Sequence, residues 1–170
     1  MSRDLAVRAL RRAHALEESA AKFYEKASKL VEDPSLAAAL SFVAAESSNH
    51  ARLIQSLFGT SEGCEGALGT AGERIIAELE KAAAELEGGR KPAPKELAAL
   101  LRKLNDAEKL AGEEAYSQIT AKALSLELSD VERLLLEAVA EEEKFHYRIV
   151  EKVAGELEKR GSPGADRRAG

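Results

Sequence analysis

Residues 17–54 read EESAAKFYEKASKLVEDPSLAAALSFVAAESSNHARLI, and residues 113–150 read EEAYSQITAKALSLELSDVERLLLEAVAEEEKFHYRIV. Slid by 96 positions, the second stretch falls on the first without a gap, with 11 of 38 residues identical. Leu40/Leu136, Val43/Val139 and Ala44/Ala140 are what any two amphipathic helix pairs would share. Glu17/Glu113, Glu46/Glu142 and His50/His146 are not explained that way. Two of the three histidines in the chain hold the same place in the two halves. The repeating unit is a helix, a break and a second helix, which makes the fold class all-α.

The rest of the chain agrees with that reading. Its 170 residues are 45% apolar and 32% charged, with 4% aromatic, no Trp and 12 Gly. Ala, Leu, Glu, Lys and Arg dominate, which favours helix. The expected helices run over 4–32, 35–58, 94–126 and 129–159. Asp33-Pro34 breaks the first from the second, Ser35 is the expected N-cap of the second, and Ser129 or Asp130 opens the fourth. Each short break leaves room only for a tight reversal, so each pair is an antiparallel hairpin. The expected organisation is one domain over 1–160: hairpin 4–58, crossover 59–93 with a short helix over 73–87, and hairpin 94–160. Residues 161–170 are expected to be a disordered tail.

Helical geometry then says where the acidic residues point. At 100° per residue, Glu17 lies about 60° from Ala20 on the edge of the buried face, and Glu18 about 160° away toward solvent. His50 lies about 20° from Val43, near the middle of the second helix's apolar stripe, with Glu46 and position 47 on either side. The fourth helix repeats this, with His146 in the core and Glu142 and Glu143 flanking it. The repeat turns Glu113 inward and Glu114 outward, whereas the seam of Leu100, Leu104, Ala107 and Ala111 would be continued by Glu114. Glu46 and Glu142 read either as accessory ligands or as surface glutamates. Burying several carboxylates costs several kcal/mol each if they stay ionised and unpaired. Bound cations are the compensation that serves both halves, because carboxylates bridge and imidazoles ligate.

These residues make up a pattern that resembles the ferritin-like di-iron carboxylate proteins, and within them the rubrerythrin-like, erythrin-type bundles. That family takes a Glu from each of two helices and a Glu-x-x-His from each of the other two. Glu143 and His146 fit Glu-x-x-His, Glu17 resembles the first helix's ligand, and Glu113 resembles the third's. Ser47 departs, standing where the family has its bridging Glu. The resemblance implies a ferritin-like four-helix bundle and a metal site of Glu17, His50, Glu113, Glu143 and His146, with Glu46 and Glu142 as additions. Two metal ions are expected, iron or else manganese or zinc. The implied activity is that of a peroxidase or ferroxidase-type oxidoreductase on hydrogen peroxide or O2. An iron-storage cage subunit and a non-catalytic metal-binding or scaffold bundle are the alternatives. A homo-oligomer, a dimer by family analogy, is implied as well. Tyr24 and Tyr116 are candidates for residues beside the centre.

Other features narrow the function. The net charge of −5 argues against a nucleic-acid or anionic-membrane partner. No apolar run reaches membrane-spanning length and residues 1–10 lack a signal-peptide core, so the expected compartment is the cytoplasm. The single Cys64 excludes a Cys-rich redox centre, which implies an external electron donor. Gly63, Gly66, Gly69 and Gly72 recur every third residue and read as a flexible crossover loop. His14 is expected on the outer side of the first helix. Asn and Gln occur only twice each, consistent with a thermophilic source or with GC-biased coding.

Overall fold

In the computed structural model the described chain runs over residues 3–123 and 128–160, and the described side chains leave out 3, 5, 6, 108 and 110–123. Five helices follow in order: α1 (Arg3–Ser28), α2 (Pro34–Phe58), α3 (Gly69–Glu87), α4 (Pro94–Ala123) and α5 (Asp130–Arg160). The expected tail and the end of the third long helix fall outside the described residues. Among the described residues no helix is long and apolar enough to cross a membrane.

The chain chemistry at each reversal sets the hairpins. α1 ends at Ser28, four residues before the expected stop, in turns closed by Lys29 N–H to the Lys26 carbonyl and Leu30 N–H to the Ala27 carbonyl. Asp33, rather than Ser35, caps α2. Its Oδ1 accepts from the N–H groups of Ser35 at 2.9 Å and Leu36 at 3.0 Å, and Pro34 takes the first helical position, where no N–H is needed. Ser129 and Glu132 form a reciprocal capping box that opens α5. The Ser129 N–H donates to Glu132 Oε2 at 2.7 Å, and the Glu132 N–H donates back to Ser129 Oγ at 3.3 Å.

Packing makes the ferritin-like bundle. α1 lies along α2, α4 along α5, and α2 meets α5, while α3 lies against α1 and α4. α3 is longer than its sequence suggests, because it absorbs Gly69 and Gly72. Gly63, Gly66 and Gly69 do not make a loose loop. They take φ of 69°, 79° and 70° in successive turns, closed by Cys64 N–H to Ser61, Ala67 N–H to Cys64 and Gly69 N–H to Gly66. Arg8 and Arg11 of α1 donate to the Gly63 and Phe58 carbonyls, and Arg12 pairs with Glu73, whose Oε1 also accepts the Gly66 N–H at 2.9 Å. Cys64 is consequently buried, 2% exposed.

Among the described residues two apolar clusters fill the interior. The larger contains Leu16, Phe23, Tyr24, Leu40, Val43, Leu79, Leu101, Leu104, Val150 and Val153. The smaller contains Leu10, Ala13, Ile54, Phe58, Leu136 and Val139. Along α2 and α5 the gap between the clusters falls at Ser47 and His50 and at Glu143 and His146, and along α1 it falls between Ala13 and Leu16, next to Glu17. Among the described residues, those singled out by the repeat, Glu17, His50 and His146, therefore lie near one level of the bundle.

A Cβ added at Gly72 would lie 2.5 Å from Leu68 Cβ, so α3 starts where it does only because position 72 has no side chain. Gly72→Ala should lower stability by about 1–3 kcal/mol, overriding the better helix propensity of Ala, as read by urea unfolding.

Candidate metal centre

Three helices deliver the site. α1 supplies Glu17, one turn from Ala13 and Ala20 on the buried face, and it is 2% exposed. α2 supplies His50 (3% exposed) and Ser47 (1%), on the face that carries Val43 and Ile54. α5 supplies Glu142, Glu143 and His146, and His146 is buried. The helix backbone of α4 passes through position 113, but the side chain expected there lies outside the described residues, as do those of Glu114 and Tyr116.

His50 is the hub. Its Nδ1 lies 2.9 Å from Glu143 Oε1 and 3.8 Å from Glu17 Oε2, and its Nε2 lies 2.8 Å from Glu142 Oε2. Carboxylates only accept, so both ring nitrogens donate and the ring is an imidazolium when no metal is bound. Burial alone would push the His50 imidazole down. Its bonds to Glu143, Glu17 and Glu142 outweigh that and hold it up at about 11. Burial likewise would raise Glu143, but its bonds to His146 and His50, and their charge, hold it down at about 2. Glu143 Oε1 also lies 3.2 Å from His146 Nδ1, and the two imidazole rings stack with centroids 5.4 Å apart.

The donor set fits a divalent transition metal. Ligand atoms of His50, Glu143 and His146 lie within 4.8 Å of one another, and so do those of Glu46, His50 and Glu142. Imidazole and carboxylate together suit iron, manganese and zinc. Among the described residues one imidazolium faces three carboxylates, an acidic set that suits a dication. Ser47 Oγ is buried with no hydrogen-bond partner among the described residues, a polar atom left for something else at this level.

The structure brings together Glu17, Glu46, His50, Glu142, Glu143 and His146. It corrects the expectation for His14, which is 7% exposed rather than outward. His14 lines a cleft of about 640 Å³ between α1 and α2, and its Nε2 is 3.9 Å from Glu18. Tyr24 belongs to the larger apolar cluster and packs on Phe23, centroids 5.2 Å apart. The sequence reading did not single out Phe42 and Phe145. These half-exposed rings meet edge to face, and Phe42 also meets His146 edge to face at 6.4 Å. The signal was spacing, since Phe42 precedes Glu46 by four and His50 by eight on one helix.

The chain belongs to the family described as "Domain of unknown function (DUF892)", whose model matches residues 1–160, and that domain is of the ferritin-like superfamily. No curated protein and no solved structure matches the chain.

Protonation of His50 and ionisation of Glu143 give the metal-free protein two pH limits. The His50 contribution is complete below its ordinary value of 6.5 and is lost as pH rises toward about 11. The Glu143 contribution is complete above 4.5 and is lost as pH falls toward about 2. Urea unfolding of chelator-treated protein should therefore show greatest stability between these limits. In His50→Gln the decline expected of the wild type from about pH 7 to 10 should disappear.

Proposed function

We propose that this DUF892 chain, a ferritin-like bundle, holds iron, or manganese or zinc in its place, through Glu17, His50, Glu143 and His146, and works as an oxidoreductase on hydrogen peroxide or O2. The observation that carries this is the buried convergence of His50, Glu143 and His146 from two halves of the chain. Imidazole and carboxylate donors that share one carboxylate oxygen inside an apolar bundle are a metal-binding arrangement before they are anything else. A bound redox metal would supply electron transfer to the oxidant.

The chain's own residues set the conditions for that chemistry. The two apolar clusters flank the layer at both ends. Glu142 has a half-exposed side chain on the α2–α5 seam, which makes that seam the route for oxidant and protons. Reduction of one hydrogen peroxide to two waters takes two electrons and two protons. Cys64, the one thiol, is buried in the turns before α3, so the electrons come from an external donor. A homo-oligomer, and a dimer first, belongs to the same reading by analogy with ferritin-like proteins. Ser47 favours a second reading, a bundle that holds metal without turnover, because it removes a carboxylate from the α2 side.

Protein purified without chelator and loaded with iron or manganese should retain at least about one tightly held metal per chain, and its Tm should rise with free metal. Elemental analysis and thermal unfolding read both. His50→Ala with His146→Ala should abolish retention. Equal retention in that variant, or none in wild type, would overturn the metal reading. Metal retained with no peroxide consumption beyond the buffer rate would leave the second reading in place of the first.

A further inference from the structure

Resting on the metal reading above, we propose that the described residues build one full metal position, entered by His50 through Nδ1, and that Glu142 is the carboxylate that orients His50 rather than a ligand. Donors bound at about 2.1 Å to one ion lie no more than about 4.2 Å apart. His50 Nδ1 to Glu143 is 2.9 Å, His146 Nδ1 to Glu143 is 3.2 Å and His50 Nδ1 to Glu17 is 3.8 Å. The atoms of His50, Glu143 and His146, from α2 and α5, converge as the ligands of a single ion do, while Glu17 Oε2 from α1 reaches His50 and borders that group.

The second group, Glu46, His50 and Glu142, needs the same imidazole. A neutral imidazole has one lone pair in its plane, and its other nitrogen carries hydrogen. One group can therefore take His50 as ligand, and the other can only accept its N–H. Burial decides between them. On the Nδ1 side the carboxylate side chains of Glu17 and Glu143 are 3% and 20% exposed, whereas on the Nε2 side Glu142 is 52% exposed. A buried carboxylate gains most from a dication, while a hydrated one is already stabilised by water. The Nε2–H then donates to Glu142 Oε2 at 2.8 Å, which fixes tautomer and ring direction.

Ser47 explains why the second position is weak. It precedes His50 by three, as Glu143 precedes His146, and the 96-residue offset aligns the two. The α2 side thus carries a hydroxyl where the α5 side carries a carboxylate. That hydroxyl is buried and has no partner among the described residues, so it is left to hydrogen-bond to what occupies the centre, as a water on the ion would allow.

The test uses the full, metal-free chain titrated with Co2+ alone, followed by calorimetry and visible absorption. Saturation at about one Co2+ per chain is expected for wild type. Glu142→Ala should keep that stoichiometry and weaken affinity by about 10–100-fold, with Glu142→Gln recovering part of the loss. In the Zn2+ form, 15N NMR should show His50 with hydrogen on Nε2 and metal on Nδ1. Ser47→Glu should add about one further equivalent if circular dichroism shows it folded; the Glu142 variants at their half-exposed position stand regardless. Wild type saturating at about two equivalents, a metal on Nε2, or loss of a whole equivalent in Glu142→Gln would overturn this inference and leave the metal reading intact. No Co2+ uptake by wild type would overturn both.

Discussion

A charged layer inside an apolar bundle persists only if every charge in it has a counter-charge within reach. That constraint organises this molecule. Glu17, Glu142 and Glu143 converge on the single ring of His50, and two apolar clusters close the layer from either end. Removing one partner from such a group leaves an uncompensated buried charge, which costs several kcal/mol. The helices are therefore not free to slide. Each has to place its polar residue at the same level, and the apolar residues on either side of it set the register that does so.

The outer parts of the fold serve that register. Arg12 and Glu73 tie α3 to α1, and Glu73 also accepts the Gly66 N–H, so one carboxylate organises both the start of α3 and the turns before it. Asn105, 4% exposed, donates to the Tyr147 carbonyl one residue past His146 and fixes α4 against α5 beside the site. Arg160 reaches Asp33, the residue that caps α2, and so ties the end of α5 to the first reversal. An exposed ion pair such as Arg160–Asp33 contributes little stability by itself. The effect of these three contacts is to fix where the helices meet.

Much of this was legible because the chain states it twice. The coincidence of Glu17 with Glu113 and His50 with His146 survived 96 residues of offset, and a single amphipathic helix could not have carried that signal. Helical angles mislead where one helix has several neighbours. α1 packs against α2, α3 and α4, so it buries a wider arc than a single stripe, and His14 and Ser19 fall inside it. The third-residue glycines misled for another reason. Their period resembles low complexity, but it matches successive tight turns with positive φ. The α3 start depended on a close approach between Leu68 and position 72, which no propensity scale registers. The choice between ligand and orienting carboxylate for Glu142 needed its contact with Nε2 and could not come from spacing alone.

The pairing of His50 with Glu142 and Glu143 joins residues 92 and 93 positions apart. Contacts that span so much chain form late, because the loop between them has to be ordered first. During synthesis the first hairpin is complete, with His50 in place, long before α5 exists to meet it. The half-site on α1 and α2 lacks Glu143 and His146, the carboxylate and imidazole that α5 adds to the group. On the proposed metal reading, a chain still being made would hold an ion weakly, and the choice of ion would fall to the finished bundle.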